Sequence, residues 1–207
     1  GSNGKSTIVK ILYEIFLKKF KNTLLGGNIG KSLSENIIFE KNKAIPYIHI
    51  VEISSFQLEH IFTFTPAVSC IINITEDHMD RYENIDAYIA EKLKLAKHIK
   101  KSGWLVYNAD DPVLSKSLIN RSRSILFSLT QKQKCYFKLN ASKVYSGQVD
   151  SPKILFKLED TKLKGFHNLQ NILAAATMAH SFDISRSAIQ DTILNSMNLI
   201  NEINRQP

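Results

Sequence analysis

The stretch Gly1-Ser2-Asn3-Gly4-Lys5-Ser6-Thr7 decides how the rest of the chain reads. Its two glycines let the backbone close around a phosphate with no Cβ in the way. Lys5 brings a positive charge to β- and γ-phosphates, and Ser6 brings a hydroxyl to Mg²⁺. Apolar residues then recur at Ile8, Ile11, Leu12, Ile15 and Phe16, the spacing of one helix face. The loop therefore opens a helix, where backbone N–H groups and the helix dipole favour anions. Gly1, Asn3, Gly4, Lys5, Ser6 and Thr7 become candidate nucleotide-phosphate contacts. The competing reading is a tag-like start rich in small residues. Gly-Lys-Ser running straight into an amphipathic helix is the order that phosphate binding needs, and it favours the first reading.

At 207 residues the chain is long enough to bury a sizeable core. Its 43% hydrophobic and 22% charged residues are those of an ordinary globular domain. No apolar run reaches membrane-spanning length and no signal peptide stands at the start, so no membrane partner is expected and the expected location is the cytoplasm. Cys70 and Cys135 lack metal-ligand spacing and read as free thiols. The net charge of +8 raises a polyanion partner, but no dense basic block or basic–aromatic interleaving accompanies it. Solvated lysine-rich surfaces account for it, so no nucleic-acid partner is expected, and a monomer is.

Beyond the first helix, Thr23-Leu24-Leu25 reads as a strand ending in Gly26-Gly27-Asn28-Ile29-Gly30, a second candidate wall for the phosphate site. Residues 32–39 read as a short helix. Tyr47 to Val51 is a β-branched apolar run suited to a buried parallel strand. It ends at Glu52, and open α/β sheets hold ligands at the carboxyl ends of their strands. Glu52 is thus a candidate to complete a Mg²⁺ site with Ser6, unless it is simply a solvated strand end. Residues 67–74 repeat the pattern and lead into Thr75-Glu76-Asp77-His78-Met79-Asp80-Arg81-Tyr82. His, Asp and Glu crowded there suggest metal or acid–base chemistry, or else a polar loop capping the next helix.

That helix, at about 85–99, places Ile85, Tyr88, Ile89, Leu95, Ala96 and Ile99 on one stripe, with Lys92 inside it. A lysine on the core side must snorkel, pair or be chemically altered. Trp104 to Tyr107 is a further strand, and Asn108-Ala109-Asp110-Asp111-Pro112 turns into a helix with Pro at its first position. After a strand at 124–129 the pattern shifts to short β runs split by Gly147 and Pro152, a small antiparallel meander on the side of the main sheet at about 133–160. Gly165-Phe-His-Asn-Leu-Gln-Asn171 opens another helix with Asn168 and Asn171 on one face. Those amides could read a base, but on their own they read as caps. A last helix spans 185–195. The fold class is α/β: a P-loop-type, mostly parallel sheet flanked by helices, with the antiparallel meander attached.

Taken together, these motifs resemble the Mur ligases, and within them the branch that adds D-glutamate. The resemblance rests on the opening loop, Gly26–Gly30, Glu52-Ile-Ser-Ser-Phe-Gln-Leu-Glu59, residues 73–82, Asn108-Ala-Asp-Asp111 and residues 165–171, in family order over nearly the whole chain. It implies an ATP-dependent ligase of peptidoglycan synthesis. ATP phosphorylates the carboxylate of UDP-N-acetylmuramoyl-L-alanine, and the amine of D-glutamate displaces the phosphate. Positioning and charge neutralisation dominate such chemistry. By that resemblance the catalytic residues are Lys5, His78 and Lys92. Ser6 and Glu52 hold one Mg²⁺, and His78 and Lys92 a second, with Lys92 carbamylated. Asn28 and Ser54 touch the muramoyl-alanine, and Asn168 and Asn171 face the adenine side of ATP.

The resemblance covers the central ATP-binding domain alone, at 1–207. The family's N-terminal UDP-binding and C-terminal D-glutamate-binding domains fall outside it, so the chain is expected to be a fragment with negligible ligase activity by itself. The family's Leu-x-His-Arg near the end is replaced by residues 199–207, where Arg205 stands for the arginine and the histidine is missing. The alternatives are another Mur or folyl-polyglutamate-type ligase, or a nucleotide-binding fragment without chemistry.

Overall fold

A computed structural model describes residues 4–75, 82–130, 135–147 and 152–195. They fall into two compact units, one within Gly4–Ile53 and Glu159–Asn195, the other within Ser54–Leu158.

The first unit is built on α1 (Lys5–Leu17), whose predicted stripe is buried together with Val9. Two parallel strands, β1 (Thr23–Gly27) and β2 (Ile48–Glu52), pack on it, as do α6 (Phe166–His180) and α7 (Arg186–Asn195). Ala174, Ala175, Ala176 and Ala179 are fully buried on α6, and their small side chains suit the close packing of α6 on α1. Between the strands lies α2 (Leu33–Glu40), which Ser32 starts with a capping box shared with Glu35.

The far end of α2 is tied to β2 by Glu40. Its Oε1 accepts the Tyr47 N–H at 2.8 Å and its Oε2 lies 2.5 Å from Nε2 of His49. The Tyr47 N–H first, then His49, hold this carboxyl below its ordinary value of 4.5. A carboxylate with a depressed folded pKa contributes stability that is present above the ordinary value and lost as pH falls through the folded one. The protection factor of the Tyr47 amide, its exchange rate set against that of an unstructured peptide at the same pH, is therefore expected to fall as pH drops below 4.5 through the lowered folded value, and to lose this pH dependence in Glu40→Gln. An unchanged pH response in that variant would show that Glu40 is not the titrating tether.

The second unit carries a six-stranded sheet in sequence order: β3 (Val68–Ile71), β4 (Trp104–Asn108), β5 (Ser124–Ser128), β6 (Phe137–Asn140), β7 (Lys143–Ser146) and β8 (Lys153–Lys157). The pairs from β3 to β6 are parallel, and those from β6 to β8 antiparallel. The predicted meander is thus a continuation of the sheet, with a bulge between Val144 and Tyr145 and β8 at its border. Helices α3 (Ser55–Leu58), α4 (Ile85–Lys97) and α5 (Pro112–Leu118) complete the unit. Its core joins Tyr88, Ala96 and Ile99 of the predicted stripe to Ile71, Leu105 and Leu114.

Two carboxylates staple the strand ends. Asp111 caps α5 by accepting the Leu114 N–H at 2.9 Å, and its other oxygen accepts the Ile74 N–H beyond β3 at 2.8 Å. Asp110 accepts Ser128 Oγ and the Leu129 N–H, both at 2.6 Å, and the Thr130 hydroxyl, beyond β5. Among the described residues no helix is long and apolar enough to cross a membrane, and neither Cys70 nor Cys135 is in a disulfide.

Candidate functional site

In the first unit, β1 and β2 end side by side, with Gly27 opposite Glu52. Gly4 forms the N-cap of α1 at φ 97°, with no side-chain cap, and intrahelical bonding begins with the Ile8 N–H to the Gly4 carbonyl at 2.9 Å. The amides ahead of Ile8 are those that helix geometry leaves for a ligand. A Cβ on Gly4 would come within 2.4 Å of Oδ1 of Asn171, whose side chain is buried against the loop. Asn171 thus lies against the glycine that opens α1. Asn168, a turn earlier, donates from Nδ2 to the Lys164 carbonyl at 2.8 Å. Neither asparagine caps the helix, contrary to the reading of these amides taken alone: the N-cap is Gly165, at φ 94°, with no side-chain bond.

Ser6, in the first turn of α1, donates from Oγ to Oε2 of Glu52 at 2.7 Å. Glu52 is no solvated strand end, since it is 4% exposed. Its other oxygen accepts from Nδ2 of Asn28 at 3.1 Å, and the Asn28 N–H binds the Glu52 carbonyl at 2.9 Å. Gly27 makes this closeness possible: it sits at φ 108°, and a Cβ there would lie 2.3 Å from the Glu52 carbonyl oxygen. A hydroxyl and a carboxylate in contact at a helix N-terminus form a hard oxygen donor set, which fits Mg²⁺ beside a phosphate.

The second unit carries Ser54 and Lys92. Ser54 caps α3, accepting the Gln57 N–H at 3.3 Å and donating to Gln57 Oε1 at 3.1 Å. Lys92 projects from α4 over the ring of Tyr88, with Nζ 4.3 Å from the centroid. That nitrogen is buried and has no hydrogen-bond partner among the described residues. Lys92 does not snorkel, and a buried amine with no such partner fits conversion to a carbamate. Nearby, Tyr82 donates to Glu59 at 3.0 Å, and burial first, then this bond, raise its phenol pKa. The cap of α4 is Asn84, which accepts the Ala87 N–H at 2.9 Å. Gly1, Asn3 and His78 lie outside the described residues.

The structure thus joins Ser6, Glu52 and Asn28 in one cluster and sets Gly4 against Asn171, while Lys5 and Thr7 occupy the first turn of α1. Sequence reasoning missed the Asn28–Glu52 bond, which no local spacing announces. It also missed Asn36, buried on α2 and donating to the Leu25 carbonyl at 3.2 Å; a polar residue within an apolar helix run was the available signal.

The chain matches the family described as Mur ligase middle domain over residues 1–179. A UDP-N-acetylmuramoylalanine--D-glutamate ligase of Caldanaerobacter subterraneus subsp. tengcongensis is 37% identical over 196 residues, 93% of this chain and 42% of that protein. The enzyme of the same name from Clostridioides difficile is 34% identical over 196 residues, 94% of this chain and again 42% of the relative. The chain therefore spans less than half the length of these relatives. Among solved structures, a MurF ligase from Thermotoga maritima in complex with ADP superimposes with a TM-score of 0.64 at 18% identity, over 92% of this chain and 46% of that one. A MurF from Acinetobacter baumannii gives 0.69 at 17% identity, over 94% and 44%. These likenesses bear out the α/β fold, and with the match over residues 1–179 they place the chain in the Mur ligase middle-domain family.

Proposed function

We propose that residues 1–207 form the nucleotide-binding central domain of a ligase that joins D-glutamate to UDP-N-acetylmuramoyl-L-alanine at the expense of ATP. The observation that carries this reading is the 2.7 Å contact of Ser6 with the buried Glu52 carboxylate at the N-terminus of α1. The identity to D-glutamate ligases supports the choice of substrates. The N-terminal turn of α1 and Lys5 hold the ATP phosphates, and Asn168 and Asn171 face the adenine side. Ser6 and Glu52 would hold one Mg²⁺, and His78 with a carbamylated Lys92 a second; bound there, the ions neutralise the charge that develops on the transferred phosphoryl group. Asn28 and Ser54 orient the muramoyl-alanine carboxylate. Its oxygen attacks the γ-phosphorus, the bond to ADP breaks, and the amine of D-glutamate then displaces phosphate from the acyl carbon and gives up a proton.

Calorimetric titration with ATP and Mg²⁺ tests the nucleotide site. Saturable binding is expected, weakened at least about 30-fold in Lys5→Ala through loss of a charge-assisted phosphate contact. Equal binding by both forms would overturn the assignment of Lys5. The acceptor and amine are tested by phosphate release from the full-length protein with UDP-N-acetylmuramoyl-L-alanine. Release with UDP-N-acetylmuramoyl-L-alanyl-D-glutamate and 2,6-diaminopimelate, and none with UDP-N-acetylmuramoyl-L-alanine and D-glutamate, would favour another branch of the family.

A further inference from the structure

We propose that Asn28 is the positioning residue of the divalent-cation site: its amide sets the orientation of the Glu52 carboxylate and thereby the affinity of the phosphate loop for the ion. The proposal rests on the nucleotide-site reading above and adds a role for Asn28 distinct from contact with the acceptor. Glu52 receives two side-chain donors, one on each oxygen, from Ser6 at 2.7 Å and Asn28 at 3.1 Å. Ser6 is itself a candidate ligand, and its oxygen could turn a lone pair to an ion while its one proton still serves Oε2 of Glu52. Asn28 is the donor to the other oxygen, Oε1. A buried carboxylate with no donor on its outer oxygen is free to rotate about its terminal torsion, which is broad and two-fold. A ligand that must be oriented on binding costs affinity.

Asn28 itself is held by its backbone. Its N–H binds the Glu52 carbonyl at 2.9 Å, and Gly27 brings the turn to within a distance that a Cβ would forbid. The amide therefore approaches Glu52 from a fixed base, as an outer partner that orients a metal ligand does. Asn28 is exposed, and its Oδ1 accepts no bond among the described residues. One end of the side chain reaches the buried carboxylate while the other faces outward.

The test is Mn²⁺ binding to the chain at saturating ADP, read by electron paramagnetic resonance of free Mn²⁺, beside ADP affinity in EDTA and thermal unfolding. Asn28→Ala is expected to weaken Mn²⁺ about 5- to 20-fold while ADP affinity in EDTA and the unfolding temperature stay near wild type. Asn28→Asp places a second carboxylate against Glu52, so unfolding without metal is expected at lower temperature, with a larger stabilisation by Mn²⁺ than in wild type. A purely structural role would instead lower stability in both variants and leave Mn²⁺ affinity unmoved. Wild-type Mn²⁺ affinity in Asn28→Ala overturns the proposal while the site assignment stands. Failure of the wild-type chain to bind ADP with Mn²⁺ overturns the site assignment, and the proposal with it.

Discussion

Gly4→Ala is expected to lower affinity for Mg·ATP more than about 100-fold and to destabilise the first unit by about 2–4 kcal/mol. Two costs combine. At φ 97° an L-residue sits in left-handed backbone, which costs roughly 1–2 kcal/mol against glycine. The new methyl also meets Oδ1 of Asn171 at 2.4 Å, a separation that real contacts do not show. Asn171 is only 5% exposed and stands on α6, whose alanine face is packed without exposure, so it has little room to retreat. Relief must come from the first turn of α1, the turn whose amides would grip the phosphates. Urea unfolding of Gly4→Ala, Asn171→Gly and the double variant separates the two costs. The overlap contributes if the double variant is more stable than the sum of the single effects allows. Strict additivity would leave backbone strain as the whole effect. Stability is the readout for this cycle because Asn171 is itself proposed to contact ATP.

Asp111→Ala is expected to cost the second unit about 2–4 kcal/mol. The carboxylate caps α5 through the Leu114 N–H, a contribution of about 1 kcal/mol. It also satisfies the Ile74 N–H in a buried setting, and a stranded buried donor costs about 1–3 kcal/mol. Alanine leaves both donors without this partner. The same side chain joins the end of β3 to the β4–α5 turn, so its loss loosens two neighbouring strand ends together. Asp111→Asn retains one acceptor oxygen and should lose about half as much. Against a typical total of about 5–15 kcal/mol, the alanine variant should show a clear fall in the urea midpoint. A loss under about 1 kcal/mol would mean that water replaces the carboxylate and that Asp111 is not a staple.

Much of this architecture was legible in the sequence. The α1 stripe, the strand ending at Glu52, the Pro112 start of α5 and the meander each carry local period or turn chemistry, and each forms where expected. What could not be read is what the chain brings together over distance. The contacts of Asn28 with Glu52 and of Gly4 with Asn171 span 24 and 167 positions, and no periodicity encodes them. Lys92 marks the boundary between the two cases. Its place on the apolar stripe was visible, but whether it snorkelled, paired or was buried depended on where the Tyr88 ring and the surrounding core ended up. Ser54 shows the converse. Its cap with Gln57 is a local four-residue pattern, readable as a helix start, while its proposed substrate contact is not written in that pattern.

Among the described residues the sheet of the second unit ends at β8, and a border strand offers unpaired backbone groups to any passing strand. Lys153 and Lys157 stand at the two ends of this one, both exposed. Two molecules meeting border to border in antiparallel fashion would bring Lys153 of each toward Lys157 of the other, four like charges around a five-residue seam. The bulge between Val144 and Tyr145 twists the neighbouring pair away from the flat geometry that such a seam requires. The positive charge that composition alone assigns to a solvated surface thus has at least one local duty. Charged side chains at such a border disfavour its pairing with a second copy.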